Sequence, residues 1–205
     1  MIRVSVNTRI TAAILAGGEN KRFGGKTKAL MKIDGVALIT HTVDLLAGIF
    51  DDILLVTNKP QEFDPAMPVR IAGDIFKKRG PLGGLHSAIN NSDSGAIFLF
   101  AGDMPFLSPE LVKLMISEYA ETKPDALLPE RNGDIEPLHA IYNIRLKQKL
   151  NHYIEKEKRY AIRDFLKITD SEYFSLEDQE YSDVFTNINT REELEVLERK
   201  LRNND

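Results

Sequence analysis

Leu15-Ala-Gly-Gly-Glu-Asn-Lys-Arg-Phe-Gly-Gly-Lys-Thr-Lys-Ala-Leu30 continues from an apolar run, Ile10-Thr-Ala-Ala-Ile-Leu15. The run predicts a buried first strand, and the stretch beyond it a loop at that strand's carboxyl end. Its four glycines, Gly17, Gly18, Gly24 and Gly25, let the backbone come close to a ligand. From Glu19 to Lys32 five cations (Lys21, Arg22, Lys26, Lys28, Lys32) stand against the single acid Glu19. A strand that opens into a glycine-rich cationic loop is suited to holding phosphate. A surface loop with solvated lysines is the plainer alternative.

Two familiar phosphate loops are excluded. Gly25-Lys26-Thr27 matches the end of a Walker A motif, but that motif needs a glycine where Asn20 stands. The three-glycine spacing of the dinucleotide fingerprint is absent as well. What remains is L-A-G-G-x-x-x-R-x-G-G-x-x-K, which resembles the signature of nucleotidyltransferases that activate small phosphorylated molecules with a nucleoside triphosphate.

The 205 residues suit one domain with a proper core. A net charge of −4 gives no reason to expect bulk binding to nucleic acid or anionic lipid, so the local cation cluster points to a small anionic ligand. The chain has no cysteine, which excludes disulfides, thiolate metal sites and cysteine nucleophiles. It has neither a signal-peptide core nor an apolar run of membrane-spanning length. A cytoplasmic protein without nucleic-acid or membrane partners is expected.

Strand and helix signals alternate. Asp52–Thr57, Val69–Ala72 and Ala96–Ala101 read as strands, as do Asp125–Leu128 and His139–Tyr142 around a loop from Pro129 to Pro137. Glu172–Ser175 reads as an edge strand. Helices are expected over Val36–Ala47, Gly84–Asn91, Ser108–Ala120, Arg145–Glu157 and Ile162–Lys167, with Leu111, Leu114, Met115 and Tyr119 on one apolar face. Ser108-Pro109 opens its helix as cap and first residue. Thr190-Arg-Glu-Glu193 is a capping box for a final helix. Repeated strand–helix–strand units imply a single-domain, three-layer α/β/α fold on a mostly parallel, Rossmann-like sheet.

In such sheets ligands bind beyond the carboxyl ends of the strands. Asn58, Asp74 and Asp103 all fall there. Asp103, followed by Met104-Pro105, is placed to hold a hard divalent ion or, more simply, to cap a loop. Gly80-Pro-Leu-Gly-Gly-Leu-His86, preceded by Lys77, Lys78 and Arg79, is a second glycine-rich turn ahead of a helix start that would attract an anion. Asp74 is placed to hydrogen-bond a nucleobase or ribose. Asn187 and Asn189 share one side of an extended segment. The histidines (His41, His86, His139, His152) lack metal-ligand spacing, and His139 and His152 read as packing or surface residues.

Taken in order, Leu15-Ala-Gly-Gly18, Arg22-Phe-Gly-Gly25, Lys28, Gly80-Pro-Leu-Gly-Gly84, Gly102-Asp-Met-Pro-Phe-Leu107, Glu136-Pro137 and Asn187-Ile-Asn-Thr190 resemble the molybdenum cofactor guanylyltransferases of the MobA type. The resemblance covers about Thr11 to Leu201. It implies a sheet of the nucleotide-diphospho-sugar transferase type, with a nucleotide half at about 10–107 and a pterin-substrate half at about 108–202. It also implies transfer of GMP from GTP to molybdopterin with Mg²⁺ and release of pyrophosphate. By position, Leu15, Ala16 and Gly17 would line the guanine and ribose pocket; Gly18, Gly25 and Asn58 are further candidates for binding the ligand. Lys28, Asp103 and Arg22 would form the catalytic set, Asp103 holding the metal. Asp74 would contact the nucleotide, and Gly80 and Gly84 would shape the turn beside it. Asn187, Asn189 and Arg159 would face the pterin. Transient contacts with molybdenum-inserting and acceptor proteins would follow.

Three positions depart from the family pattern. Thr27 stands where aspartate is usual, Phe23 where methionine is, and Gly102 where cysteine often is. The rival readings are an enzyme using CTP or another triphosphate on a different phosphorylated molecule, and a non-catalytic nucleotide sensor on the same fold.

Overall fold

The computed structural model describes residues 9–17, 27–33, 35–177, 181, 183–186 and 193. The expected Gly18, Lys21, Arg22, Phe23, Gly24, Gly25 and Lys26 of the first loop lie outside these residues. So do Asn187, Asn189 and most of the final helix with its capping box. Among the described residues no helix is long and apolar enough to cross a membrane.

The apolar runs form strands buried on both faces, as a helix-covered parallel sheet requires. β1 (Ile10–Leu15), β4 (Ile53–Val56) and β6 (Ala96–Ala101) are its middle. β5 (Arg70–Ala72) lies at one edge, and β7 (Ala126–Arg131), β9 (His139–Asn143) and β10 (Ser171–Ser175) lie beyond β6. The order across the sheet is β10-β7-β9-β6-β1-β4-β5, with β8 (Asp134–Ile135) paired to β7. β9 runs antiparallel to both β6 and β7, while β10 is parallel to β7.

Helices cover both faces. α1 (Leu38–Ala47) and α3 (Pro109–Thr122) pack with Ala12, Ile14, Phe98 and Phe100. α2 (Gly80–Asn90), α4 (Lys147–Lys156) and α5 (Ile162–Leu166) pack with Ala13, Leu54, Ile97 and Leu99. Alternate residues of each strand thus feed opposite cores.

Several boundaries differ from the sequence reading. Val36–Ala37 is not helical; it is strand β3, which pairs with β2 (Lys32–Ile33) around Gly35, and α1 begins at Leu38. α2 begins at Gly80 rather than Gly84, so the second glycine-rich segment is the first turn of the helix itself. Proline in that first turn loses no hydrogen bond, because the N–H it lacks would be unpaired anyway. The segment Pro129–Pro137 is not all loop: β7 runs to Arg131 and returns through Asn132 and Gly133, both at positive φ, into β8. Asn-Gly with two positive φ values is the preferred chemistry of a two-residue hairpin. In α3 the Ser108 hydroxyl accepts from the Leu111 amide, as expected of an N-cap. Val112, not Leu114, completes the buried face, and Leu114 is exposed. Before α4, Ile144–Leu146 is a 3-10 turn.

Four neighbouring strands finish on one row: Ala101 pairs with Leu15, Leu15 with Val56, and Val56 with Ala72. The next residues of each chain segment therefore emerge side by side. At the β1–β6 junction the approach is closest, with the Gly102 amide donating to the Leu15 carbonyl at 2.9 Å. A Cβ at position 102 would stand 2.9 Å from that oxygen and 3.3 Å from the Ala29 Cβ. Glycine here is a steric requirement.

His139 sits at the start of β9 with no exposed surface, edge-on to Phe98, Phe100 and Phe185 at 5.2, 5.3 and 5.5 Å. Among the described residues neither ring nitrogen has a hydrogen-bond partner, in line with a packing role. Burial lowers its pKa from the usual 6.5 to about 3.

Two outcomes are expected. Below pH 6.5 the unfolded chain takes up a proton that folded His139 refuses, so stability falls as pH drops toward 3. The slope is up to about 1.4 kcal/mol per pH unit. His86 is also lowered, mainly by burial, and adds the same sign, so the test is a difference. Urea unfolding of wild type and His139→Leu from about pH 7 to pH 5 should give the shallower pH dependence in the variant; parallel curves would contradict it. At the strand junction, Gly102→Ala should cost about 1–3 kcal/mol by overpacking, again read by urea unfolding. A variant as stable as wild type would show that the junction relaxes freely.

Candidate active site

The loops beyond the strand row enclose a cleft of about 830 Å³. This lies toward the upper end of the range for small-molecule sites. β1 and the segment after it contribute Leu15, Ala16 and Gly17, then Thr27, Lys28 and Ala29. β4 and the segment after it contribute Val56, Thr57, Asn58 and Lys59. The segment after β5 supplies Asp74, Lys77 and Lys78, and α2 supplies Gly80, Pro81 and Gly84. β6 and its turn give Ala101, Gly102 and Asp103, and Leu138, just before β9, completes the lining. Four lysines against two aspartates make the described lining cationic inside an acidic protein. The amino end of α2 adds its partial positive charge.

Side-chain pairs tie these loops together. Lys28 opens a 3-10 turn, Lys28–Leu30, and its Nζ lies 3.2 Å from Asp103 Oδ2. The predicted phosphate lysine and the predicted metal carboxylate thus meet across the β1–β6 junction. Asn58 Nδ2 donates to Asp74 Oδ2 at 2.7 Å, and the Asp74 amide donates back to Asn58 Oδ1 at 3.1 Å, joining the loops after β4 and β5. Thr27 donates to Glu62 Oε2, and Glu62 Oε1 lies 3.0 Å from Lys59 Nζ. The Thr27 hydroxyl first, and Lys59 after it, hold the Glu62 carboxyl below its usual range. Behind Leu138, Glu136 accepts from the Leu138 amide, while burial first and the Asp103 charge in addition raise its pKa.

Gly84 faces Leu15: a Cβ there would stand 2.8 Å from a Leu15 methyl. Helix α2 and the first strand therefore share one wall of the cleft. Gly80 has a positive φ of 56° and no atom close to its missing Cβ, so backbone conformation, not space, asks for glycine.

The structure brings together Leu15, Ala16, Gly17, Lys28, Asn58, Asp74, Gly80, Gly84 and Asp103. Gly18, Arg22, Gly25, Asn187 and Asn189 lie outside the described residues. Arg159 is exposed between α4 and α5 and does not line the cleft. Its neighbour Tyr160 instead carries the Arg79 guanidinium 4.0 Å above its ring, beside the start of α2. Lys32 is exposed on the β2–β3 hairpin. Sequence reasoning missed Thr57, Lys59 and Leu138. Thr57 and Lys59 flank Asn58 and were open to the same strand-end argument, and Leu138 directly follows the Glu136-Pro137 block.

The donor set can be weighed for a metal. Among the described residues there is no group of three or more histidine, aspartate or glutamate side chains that could cage an ion. Two partly buried carboxylates, Asp74 and Asp103, line the cleft, and Asp74 accepts from Asn58. That fits magnesium, which takes one or two carboxylates and completes its shell with substrate phosphates and water.

A family model described as the MobA-like NTP transferase domain matches residues 12–174. The "Probable molybdenum cofactor guanylyltransferase" of Natranaerobius thermophilus is 35% identical over 205 aligned residues, covering 94% of this chain and 96% of that protein. The protein of the same name from Thermococcus gammatolerans is 38% identical over 191 residues, covering 90% and 97%. The crystal structure of molybdopterin-guanine dinucleotide biosynthesis protein A from Archaeoglobus fulgidus matches with a TM-score of 0.80 at 23% identity, over 95% of this chain and all of that one. The fold agrees with that structure, and the match to the family model spans β4, β5, β6 and most of β1, which build the cleft. The chain therefore belongs to the molybdenum cofactor guanylyltransferases of the MobA-like NTP transferase family, and it is a nucleotidyltransferase.

Proposed function

We propose that the protein transfers GMP from GTP to the terminal phosphate of molybdopterin, forming the guanine dinucleotide cofactor and pyrophosphate. The observation that carries this reading is the Lys28–Asp103 pair at 3.2 Å, on the segments just beyond the strand row and inside a cationic cleft. The choice of guanine and of the pterin rests on what the relatives are named for.

The substrate brings its own nucleophile. A phosphate oxygen of molybdopterin, already ionised, attacks the α-phosphorus of GTP; the new P–O bond forms as the bond to the bridging oxygen of the β-phosphate breaks, and pyrophosphate leaves. No protein base and no covalent intermediate are needed, so the protein's share is positioning and charge neutralisation. Leu15, Ala16 and Gly17 would seat the nucleoside beside the Asn58–Asp74 pair. Lys28 would hold the departing pyrophosphate, with Lys59, Lys77 and Lys78 adding positive charge along the lining. Asp103 would hold Mg²⁺, which when bound neutralises phosphate oxygens. The product needs onward transfer, so transient contacts with a molybdenum-inserting protein and with acceptor enzymes belong to this reading. A cytosolic setting agrees with the cysteine-free chain.

Thermal shifts with GTP, CTP, ATP and UTP, each with and without Mg²⁺, test the nucleotide. GTP should stabilise selectively, by about 2.7 kcal/mol at a hundredfold excess over Kd. Selective stabilisation by CTP would move the protein to a cytidylyl reaction. In the assembled reaction Asp103→Ala should lower turnover by at least about 10²-fold to 10³-fold. Near-normal rates at saturating Mg²⁺ would overturn the role of Asp103.

A further inference from the structure

One carboxylate at the cleft's rim lies outside its lining yet holds two residues that belong to it. Glu62 ends the 3-10 turn Pro60–Glu62 after β4. Its Oε2 accepts from Thr27 Oγ1 at 2.5 Å, across 35 positions of sequence, and its Oε1 lies 3.0 Å from Lys59 Nζ. Thr27 is only 6% exposed. It stands at the N-cap of the Lys28–Leu30 turn, but its side chain makes no capping bond there. The hydroxyl points away to Glu62. A hydrogen bond to an ionised acceptor is shorter and stronger than a neutral one, and a β-branched side chain so held has little χ1 freedom. The next residue along is Lys28, whose ammonium meets Asp103 across the β1–β6 junction.

We infer that Glu62 is a positioning residue: it holds Thr27 against the loop after β4 and so sets where the Lys28 ammonium stands relative to the bound triphosphate. This deepens the nucleotidyl-transfer reading and rests on it. The alternative is a surface staple that merely stiffens two loops. The two differ in what they touch. A staple alters stability and the binding of every ligand alike. A residue acting through Lys28 alters only the hold on the phosphates that Lys28 meets, the β- and γ-phosphates that leave as pyrophosphate.

The experiment is calorimetric titration of the full-length protein at fixed Mg²⁺ with GTP, GMP and inorganic pyrophosphate. Wild type is compared with Glu62→Ala, Glu62→Gln, Thr27→Val and the Thr27→Val/Glu62→Ala double variant, with melting curves for each. Glu62→Ala and Thr27→Val should each weaken GTP and pyrophosphate about tenfold. GMP should stay within about twofold, and the double variant should be no weaker than either single one, since both break the same link. Glu62→Gln keeps an acceptor for Thr27 and should recover most of the loss. Should Glu62→Ala not fold, Thr27→Val and Glu62→Gln carry the same comparison. Equal weakening of GMP and GTP, losses that multiply in the double variant, or a glutamine variant as weak as the alanine one would overturn the proposal. A wild type that binds GTP no better than GMP, or binds neither, would overturn the nucleotidyl-transfer reading itself, and this proposal with it.

Discussion

The 2.9 Å hydrogen bond from the Gly102 amide to the Leu15 carbonyl is the constraint on which the cleft depends. It extends the β1–β6 ladder one residue past the strand ends, at a point where no side chain fits between the two backbones. The turn carrying Asp103 is thereby pressed against the segment that follows β1, and Lys28 can reach across to it. The same row places Asn58 and Asp74 side by side after β4 and β5. Three short contacts, Lys28–Asp103, Thr27–Glu62 and Asn58–Asp74, then link four strand-end loops into one rim. The rigid part of the site is backbone, and the adjustable part is this chain of polar pairs.

Magnitudes explain why that division suits a transferase. Lys28 and Asp103 side chains remain 19% and 26% exposed. A pair so placed contributes about 0–1 kcal/mol to folding, so a highly charged ligand can engage either member at little cost to the scaffold. The stability lies elsewhere, in strands such as β6 that bury every residue between two helical layers. A net charge of −4 over the chain and an excess of lysine along the described cleft also separate the two tasks. The net charge gives polyanions no overall attraction, while the lysines of the cleft favour a small anion there.

Much of this was legible in the residues. Unbroken apolar runs such as Ala96–Ala101 read as buried strands because six residues are strand length and too short for an ordinary helix. Strand ends then located Asn58, Asp74 and Asp103 without any knowledge of contacts, while Lys28 came from the cationic loop and the family resemblance. The hairpins were harder. Two-residue strands such as Lys32–Ile33 and Val36–Ala37 carry too little periodicity to outweigh the helix beside them, and Asn132-Gly133, a turn signal by its chemistry, lies unread inside the segment that reads as a loop. The reversal of β9 is a property of the sheet order and leaves no local mark. The Thr27–Glu62 bond joins residues 35 apart, and neither residue is unusual alone. Arg159 was placed by resemblance rather than by any pattern of its own, and it is the assigned residue that the described cleft leaves out. Thr27 and Gly102 depart from the family pattern, and both have physical reasons here: one donates to Glu62, and the other stands where no Cβ fits.

The most direct test of the central claim follows the α-phosphorus. GTP radiolabelled at the α position is mixed with molybdopterin, Mg²⁺ and the protein, and the products are separated. The account predicts that the label enters the pterin product in step with release of unlabelled pyrophosphate. Label recovered only as free GMP, or left wholly in GTP while pterin and Mg²⁺ are present, would contradict it.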